Sequence, residues 1–255
     1  MKMKIGIIHP VLDVIGGAEQ TTLSLLDVLK NTEYAVTLYT TTKNIKIPSE
    51  IKIYYIKRKS FPIGSSLQKM QNAKMLFNKA KNEDLLFISS GNLILENIKK
   101  NVIIYCHSTF ESELKFINTE KSGFSKIYYN YIKKRMKEQI ECIKKPSVRL
   151  ITNSNYTKEK IKELFKKDSE VIYPPVKINN KHIDNIKSGI ITIARYSSEK
   201  NLEFNIQIMK KLDMQYKIFG NAKFSSQIKY YNHLVNIAKN KKQIELFCNL
   251  NRDII

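Results

Sequence analysis

Arg195 and Lys200 bracket a short polar turn, Tyr196-Ser197-Ser198-Glu199. Ahead of them runs an apolar stretch, Ile190, Ile191, Ile193 and Ala194, short and β-branched as a buried parallel strand should be. Behind them Leu202, Ile206 and Met209 recur at helical spacing. Ser197 or Ser198 can cap that helix, because a serine oxygen accepts a free amide of the first turn. Two cations therefore stand at a strand-to-helix junction, where the helix start itself carries about half a positive charge. Phosphate is the usual anion at such a place. A surface loop in a lysine-rich chain would offer the same two residues, so the rest of the sequence has to decide.

Other groups could do chemistry. Gly16-Gly17-Ala18-Glu19 opens a helix after a first strand, and paired glycines let a backbone amide approach a ligand with no side chain in the way. A plain tight turn would use the same residues. His107 ends an apolar run, VIIYCH, and so falls at the carboxyl edge of a strand, where open α/β sheets bind ligands. A lone histidine can equally be structural. The chain has no GxGxxG and no GxxxxGK[ST], which argues against a dehydrogenase or a P-loop NTPase.

The elements that must position these groups alternate. Strands are expected at 4–9, 34–40, 51–56, 84–89, 102–107, 148–152 and 170–173. Helices are expected from Gly16-Gly17 (inner face Ala18, Thr22, Leu25, Leu26, Leu29), at 65–81 (Leu67, Met70, Lys74, Phe77), at 124–145 and at 157–165. Asn153-Ser154-Asn155 is a polar cap for the last of these. Pro174-Pro175 stops the chain, and 177–188 is polar and Asn/Lys-rich, as a linker should be. The alternation then restarts at 189–212, with further strands at 215–219 and 243–247 around a helix at 225–239. This predicts two doubly wound Rossmann-like domains, 1–175 and 176–255, the second incomplete. Its shortened sheet should expose apolar surface around Ile244, Leu246 and Phe247, to be covered by a second copy, a complementary chain or a membrane.

Length and composition agree with such a fold: 255 residues, 42% of them hydrophobic, can build one large core or two medium ones. The net charge of +21 points to anionic partners, although a chain rich in Ile, Lys and Asn carries some lysine without purpose. No helix-turn-helix, zinc knuckle or RNP-like aromatic strand is visible, so no nucleic-acid partner is expected. Helix 124–145 interleaves Phe124, Tyr128 and Tyr131 with Lys126, Lys133, Lys134, Arg135 and Lys137. It reads either as a solvated basic face or as a surface that rests on acidic lipid. Cys106, Cys142 and Cys248 form no CxxC pair and no zinc spacing, and read as reduced thiols. No metal motif and no leader pattern are seen. The expected location is cytoplasmic, peripheral on the inner face of a membrane.

Taken in order, these pieces resemble the retaining GT-B glycosyltransferases of family 4. They are Gly16-Gly17-Ala18-Glu19 after the first strand, a strand ending in His107, Thr152-Asn153-Ser154 before a helix, Val171-Ile172-Tyr173-Pro174-Pro175-Val176, Ala194-Arg195 with Glu199-Lys200-Asn201, and Ile218-Phe219-Gly220. The resemblance implies two facing domains with the active site in the cleft. It implies that Arg195 and Lys200 hold the diphosphate of a nucleotide-sugar donor, that an amide near Gly16 and Gly17 reaches the same diphosphate, and that His107 faces the transferred sugar as the catalytic group. Glu19, Ser154 and Gly220 would line the cleft. Fixed cations would stabilise the charge that builds on the leaving diphosphate, in place of a metal. The acceptor would be lipid-linked or a glycan.

The family pattern also carries two glutamates, seven residues apart, beyond the segment with which this chain stops. That implies a fragment, a naturally shortened protein or one half of a split enzyme, poorly active by itself. A non-catalytic relative that keeps the diphosphate site is the competing reading.

Overall fold

The computed structural model describes residues 2–13, 15–58, 65–89, 98, 101–109, 125–176, 188–212 and 214–250. The expected helix start at Phe124, the side chains of Leu67 and Tyr128, and linker residues 177–187 lie outside the described residues. The chain divides into two compact units, Met1–Ile178 and Asn179–Ile255.

The first unit is built on β1 (Lys4–Ile8), α1 (Gly17–Leu29), β2 (Ala35–Thr40), β3 (Lys52–Tyr55), α2 (Ser65–Ala80), β4 (Leu85–Ile88), β5 (Asn101–Cys106), α3 (Ser125–Lys144), β6 (Val148–Thr152), α4 (Asn155–Phe165) and β7 (Glu170–Val171). The sheet order is β3-β2-β1-β4-β5-β6-β7 and every pairing is parallel. The inner strands are apolar because both faces are covered, whereas β3 at the edge is exposed along its length. Ile5, Ile7, Val36 and Leu38 pack with Leu26 of α1, whereas Ile8, Leu86, Ile88, Val102, Ile104 and Leu150 pack with Leu76 and Phe77 of α2, Ile143 of α3 and Ile161 of α4. Alternate residues of a strand point to opposite faces, which sorts the side chains into these two cores. The strand order reverses between β1 and β4, so loops after their carboxyl ends diverge there and leave a crevice.

Ser154 caps α4, its oxygen accepting the Thr157 amide at 3.2 Å, so the helix starts two residues earlier than its apolar pattern suggests. Lys166 closes it in the left-handed conformation, φ 52°.

The second unit comprises β8 (Ile190–Ile193), a 3-10 turn (Ser198–Lys200), α5 (Leu202–Met209), β9 (Tyr216–Gly220), α6 (Ser225–Ala238) and β10 (Ile244–Cys248). Its parallel sheet runs β10-β9-β8. Leu202 and Ile206 of α5 and Leu234 and Ala238 of α6 bury one face, with Tyr216, Ile218 and Ile244 beneath them and Met209 alongside.

Two expectations are corrected here. β8 is not buried on both faces: Ile191 and Ile193 are 64% and 71% exposed. Among the described residues it pairs only with β9, and only the Ile190 side meets α5 and α6. The exposed apolar surface is therefore on β8, not around Ile244, Leu246 and Phe247. Ile244 is buried, Leu246 packs on the core, and Phe247 stacks on Phe219 with ring centroids 4.7 Å apart.

Candidate functional site

In the second unit the loop after β8 is stitched to the end of β9. The Ala194 amide donates to Phe219 O at 3.0 Å and the Tyr196 amide to Asn221 O at 3.1 Å. Tyr196, which looked like a turn residue, is fully buried. Its hydroxyl lies 3.1 Å from Ile218 O and 2.9 Å from Phe247 O, so one side chain ties the loop to both neighbouring strands. Burial of the aromatic body with its polar tip satisfied makes a rigid anchor.

Arg195, the residue before this anchor, is exposed and donates from Nη2 to Glu199 Oε1 at 2.9 Å. Lys200 is exposed as well, and its amide closes the 3-10 turn on Ser197 O. Neither Ser197 nor Ser198 caps α5. The 3-10 turn intervenes, and Asn201, left-handed at φ 48°, precedes the helix with no side-chain cap. The turn arises because Lys200 and Asn201 amides bond back three residues, to Ser197 and Ser198, instead of entering the α ladder. Ser197 Oγ is buried with no hydrogen-bond partner among the described residues. Gly220 has a packing reason: a Cβ there would collide with the Ala194 carbonyl oxygen and stand 2.9 Å from the Tyr196 ring.

In the first unit the predicted residues gather at the carboxyl edge of the sheet. Gly16 precedes α1, and its amide donates to Glu19 Oε2 at 2.9 Å. A Cβ on Gly16 would meet that same carboxylate oxygen at 2.9 Å, whereas a Cβ on Gly17 would meet nothing within 4 Å. Gly16 thus makes room for Glu19, and Gly17 presents open backbone. Glu19 Oε1 stands 3.6 Å from Nε2 of His9, which directly follows β1 and is buried. His9 Nδ1 lies 2.8 Å from Thr22 Oγ1, Thr22 Oγ1 donates to Ser89 Oγ at 2.8 Å, and Ser89 Oγ is 3.0 Å from His107 Nε2. Glu19 and His107 are thereby joined through three residues on different elements. Asn153 fixes the His107 backbone, donating from Nδ2 to His107 O at 3.2 Å, and is itself held by Thr157 at 2.7 Å. Ser154 belongs to this region as the α4 cap.

The electrostatics follow from burial. His107 is pushed down to about 4 by desolvation first and by the neighbouring His9 second, with Glu19 opposing, so its ring is neutral near pH 7. For Glu19, burial works to raise the pKa. Hydrogen bonding to His9 and the amides of Glu19 and Gly16 outweighs it, leaving the carboxyl below its ordinary range. Burial lifts the Cys106 thiol to about 12, which makes it a packing residue and not a nucleophile. Among the described residues no group of three or more His, Cys, Asp or Glu is gathered as a metal site.

From sequence, Thr22 counted only as a helix-face residue, Asn153 as part of a cap and Tyr196 as a turn residue, and His9 and Ser89 only as strand ends; none was assigned to the site. One available signal was positional: His9, Ser89, His107 and Asn153 each follow directly on an apolar parallel strand, at the edge where such sheets bind ligands.

Solved structures share this architecture. WaaG, a glycosyltransferase involved in lipopolysaccharide biosynthesis, is 11% identical; the match covers 98% of this chain and 71% of that one, with a TM-score of 0.66. AviGT4, a glycosyltransferase involved in avilamycin A biosynthesis, is 10% identical over 99% of this chain and 66% of its own, TM-score 0.55. The catalytic domain of starch synthase IV from Arabidopsis thaliana, bound to ADP and acarbose, is 8% identical over 99% of this chain and 75% of its own, TM-score 0.55. At these identities the likeness shows the fold, an α/β architecture of the GT-B type. No curated protein matches the chain. The model of Glycosyltransferase Family 4 matches residues 15–180, more than half of the sequence, so the chain belongs to that family and is a glycosyltransferase.

Proposed function

We propose that this glycosyltransferase takes its sugar from a nucleoside-diphosphate donor, with Arg195 and Lys200 binding the diphosphate, the open Gly17 backbone contacting it, and His107 meeting the transferred sugar. The observation that carries this reading is the Arg195 loop. An exposed guanidinium stands two residues past the end of β8 and precedes a fully buried tyrosine that bridges two strands. The buried tyrosine fixes the backbone from which this cation extends, and a cation brought to a leaving diphosphate stabilises the charge that builds on it. Starch synthase IV, of the same architecture, is bound to ADP, which supports a nucleoside diphosphate here. A neutral His107 fits a role of hydrogen bonding to sugar hydroxyls.

The acceptor in this proposal is lipid-linked or a glycan, and α3 rests on an anionic membrane surface. Supporting this are the exposed Ile127 and Tyr131 on a helix with Lys126, Lys133, Lys134 and Lys137. No described helix is long and apolar enough to cross a membrane. Co-sedimentation should require anionic vesicles and fade with salt; equal recovery on neutral vesicles removes the membrane role.

A thermal-shift screen of UDP-, ADP- and GDP-sugars tests the donor reading. A ligand that binds the folded state raises the melting temperature by mass action. The reading fails if no donor at millimolar concentration shifts the transition.

A further inference from the structure

Arg58 stands three residues past β3 and reaches across to the segments that leave two other strands. Its Nε donates to Thr41 Oγ1 at 3.0 Å and its Nη2 to Thr42 Oγ1 at 3.3 Å, and Nη2 also lies 2.5 Å from Asp13 Oδ2. Thr41 and Thr42 directly follow β2, and Asp13 lies between β1 and α1, four residues before Gly17. β1, β2 and β3 are neighbours in the sheet, so one guanidinium joins the carboxyl ends of three adjacent strands. A planar fork of fixed donors can hold several oxygens at once, which a lysine ammonium on its flexible stem does poorly.

The earlier part of the segment after β1 is held without Arg58. Pro10 O accepts from the Thr41 amide at 3.0 Å and from the Thr41 hydroxyl at 2.6 Å, the Leu12 amide donates to Thr42 Oγ1 at 2.8 Å, and the Leu12 side chain is buried. Thr41 and Thr42 are buried as well, so bulk water does not compete for these bonds. Asp13 differs: its side chain is partly exposed. Burial works to raise its pKa, and hydrogen bonding from Thr42 and Arg58 outweighs it, so the carboxyl lies below its ordinary range. Arg58 thus adds its tie at Asp13, on the side of the network nearest the glycine turn, where a Cβ on Gly17 would meet nothing within 4 Å.

We propose that Arg58 is a positioning residue: by gripping Thr41, Thr42 and Asp13 together it fixes the approach to the Gly16-Gly17 turn and so sets where the Gly17 backbone meets a phosphate-bearing ligand. The ligand-facing half of this statement rests on the proposed function; the tie through Asp13 does not.

Two readouts on the full chain test it. The first needs no ligand: amide hydrogen exchange followed by mass spectrometry. Arg58→Ala and Asp13→Ala should each speed exchange in peptides spanning residues 9–20 by about three- to tenfold, and leave peptides of α4 unchanged. The second is calorimetric titration with UDP, ADP and GDP. Both variants should bind the diphosphate about three- to tenfold more weakly, and the double variant no more weakly than either single one. The two substitutions change the net charge in opposite directions, so a purely electrostatic effect of Arg58 would strengthen binding in Asp13→Ala. Arg58→Lys, which keeps the charge but loses the fork, should behave like Arg58→Ala, and serves if the latter does not fold. Unchanged exchange around the turn, tighter binding by Asp13→Ala, or faster exchange with unchanged affinity overturns the proposal. If no diphosphate binds the wild type, the proposed function and the ligand-facing half fall together, and the exchange data still decide the tie.

Discussion

Arg195 is held by Glu199, four residues on, with Nη2 and Oε1 2.9 Å apart and both side chains mostly in water, 64% and 60% exposed. An exposed pair of this kind contributes about 0.2–1 kcal/mol. It is weak enough for a diphosphate to displace and still sufficient to keep the guanidinium near the turn. Glu199→Gln removes the competitor and a repelling charge together. It should tighten nucleoside-diphosphate binding by about two- to fivefold. Titration calorimetry reads this directly; weaker binding would mean that Glu199 orients Arg195 and does not compete for it.

Tyr196→Phe should loosen the Arg195 loop, because two strand carbonyls, Ile218 O and Phe247 O, lose one buried donor. The expected cost is about 1–3 kcal/mol. Urea unfolding followed by far-UV circular dichroism should show it, in the transition that belongs to the second unit. A midpoint equal to the wild type would mean that the ring alone anchors the loop.

The glycines divide by mechanism. Gly17→Ala meets open space, so the melting temperature should not fall while donor affinity drops. Gly220→Ala drives a methyl into the Ala194 carbonyl and the Tyr196 ring, and should destabilise by about 1–3 kcal/mol. Thermal denaturation of the two variants side by side separates the cases. A destabilised Gly17→Ala would assign that glycine to the fold and not to a ligand.

Protonation of His107 links stability to pH. The folded ring titrates at about 4 and the ordinary value is 6.5. As pH falls through 6.5 the unfolded chain takes up a proton that the folded chain refuses until about 4. Stability must therefore decline over that window and level off below it. Since the ring is partly solvated, the loss should be on the order of 1–2 kcal/mol. Glu19, lowered in the folded state, adds a further loss at the acid end. His107→Gln should flatten the slope in chemical unfolding; parallel slopes in the two proteins would contradict the assigned shift.

How legible the molecule was from its sequence depended on how local each cause is. The inner parallel strands of the first unit show as apolar runs because two cores cover them, and Ser154 shows as a cap because its partner is three residues away. β8 has the same composition as those strands but lies at an edge, and nothing within Ile190–Ile193 encodes which face is left open. Tyr196 sits among serines and looked like a turn, yet its hydroxyl partners are 22 and 51 residues away. The His9-Thr22-Ser89-His107 chain spans separations of 13, 67 and 18 residues and comes together only when β1, β4 and β5 align. Arg195 and Lys200 were visible from their types and spacing, but not the 3-10 turn that displaces the helix from them.

The central claim is that Arg195 binds the donor diphosphate, and calorimetric titration of wild type and Arg195→Ala with the donor found by thermal shift tests it most directly. A charge-assisted contact contributes about 1.5–3 kcal/mol. The variant, whose lost side chain is exposed and should leave the melting temperature unchanged, is predicted to bind at least about tenfold more weakly. Equal affinity in the two proteins, with the fold intact, would contradict the account and remove Arg195 from the site.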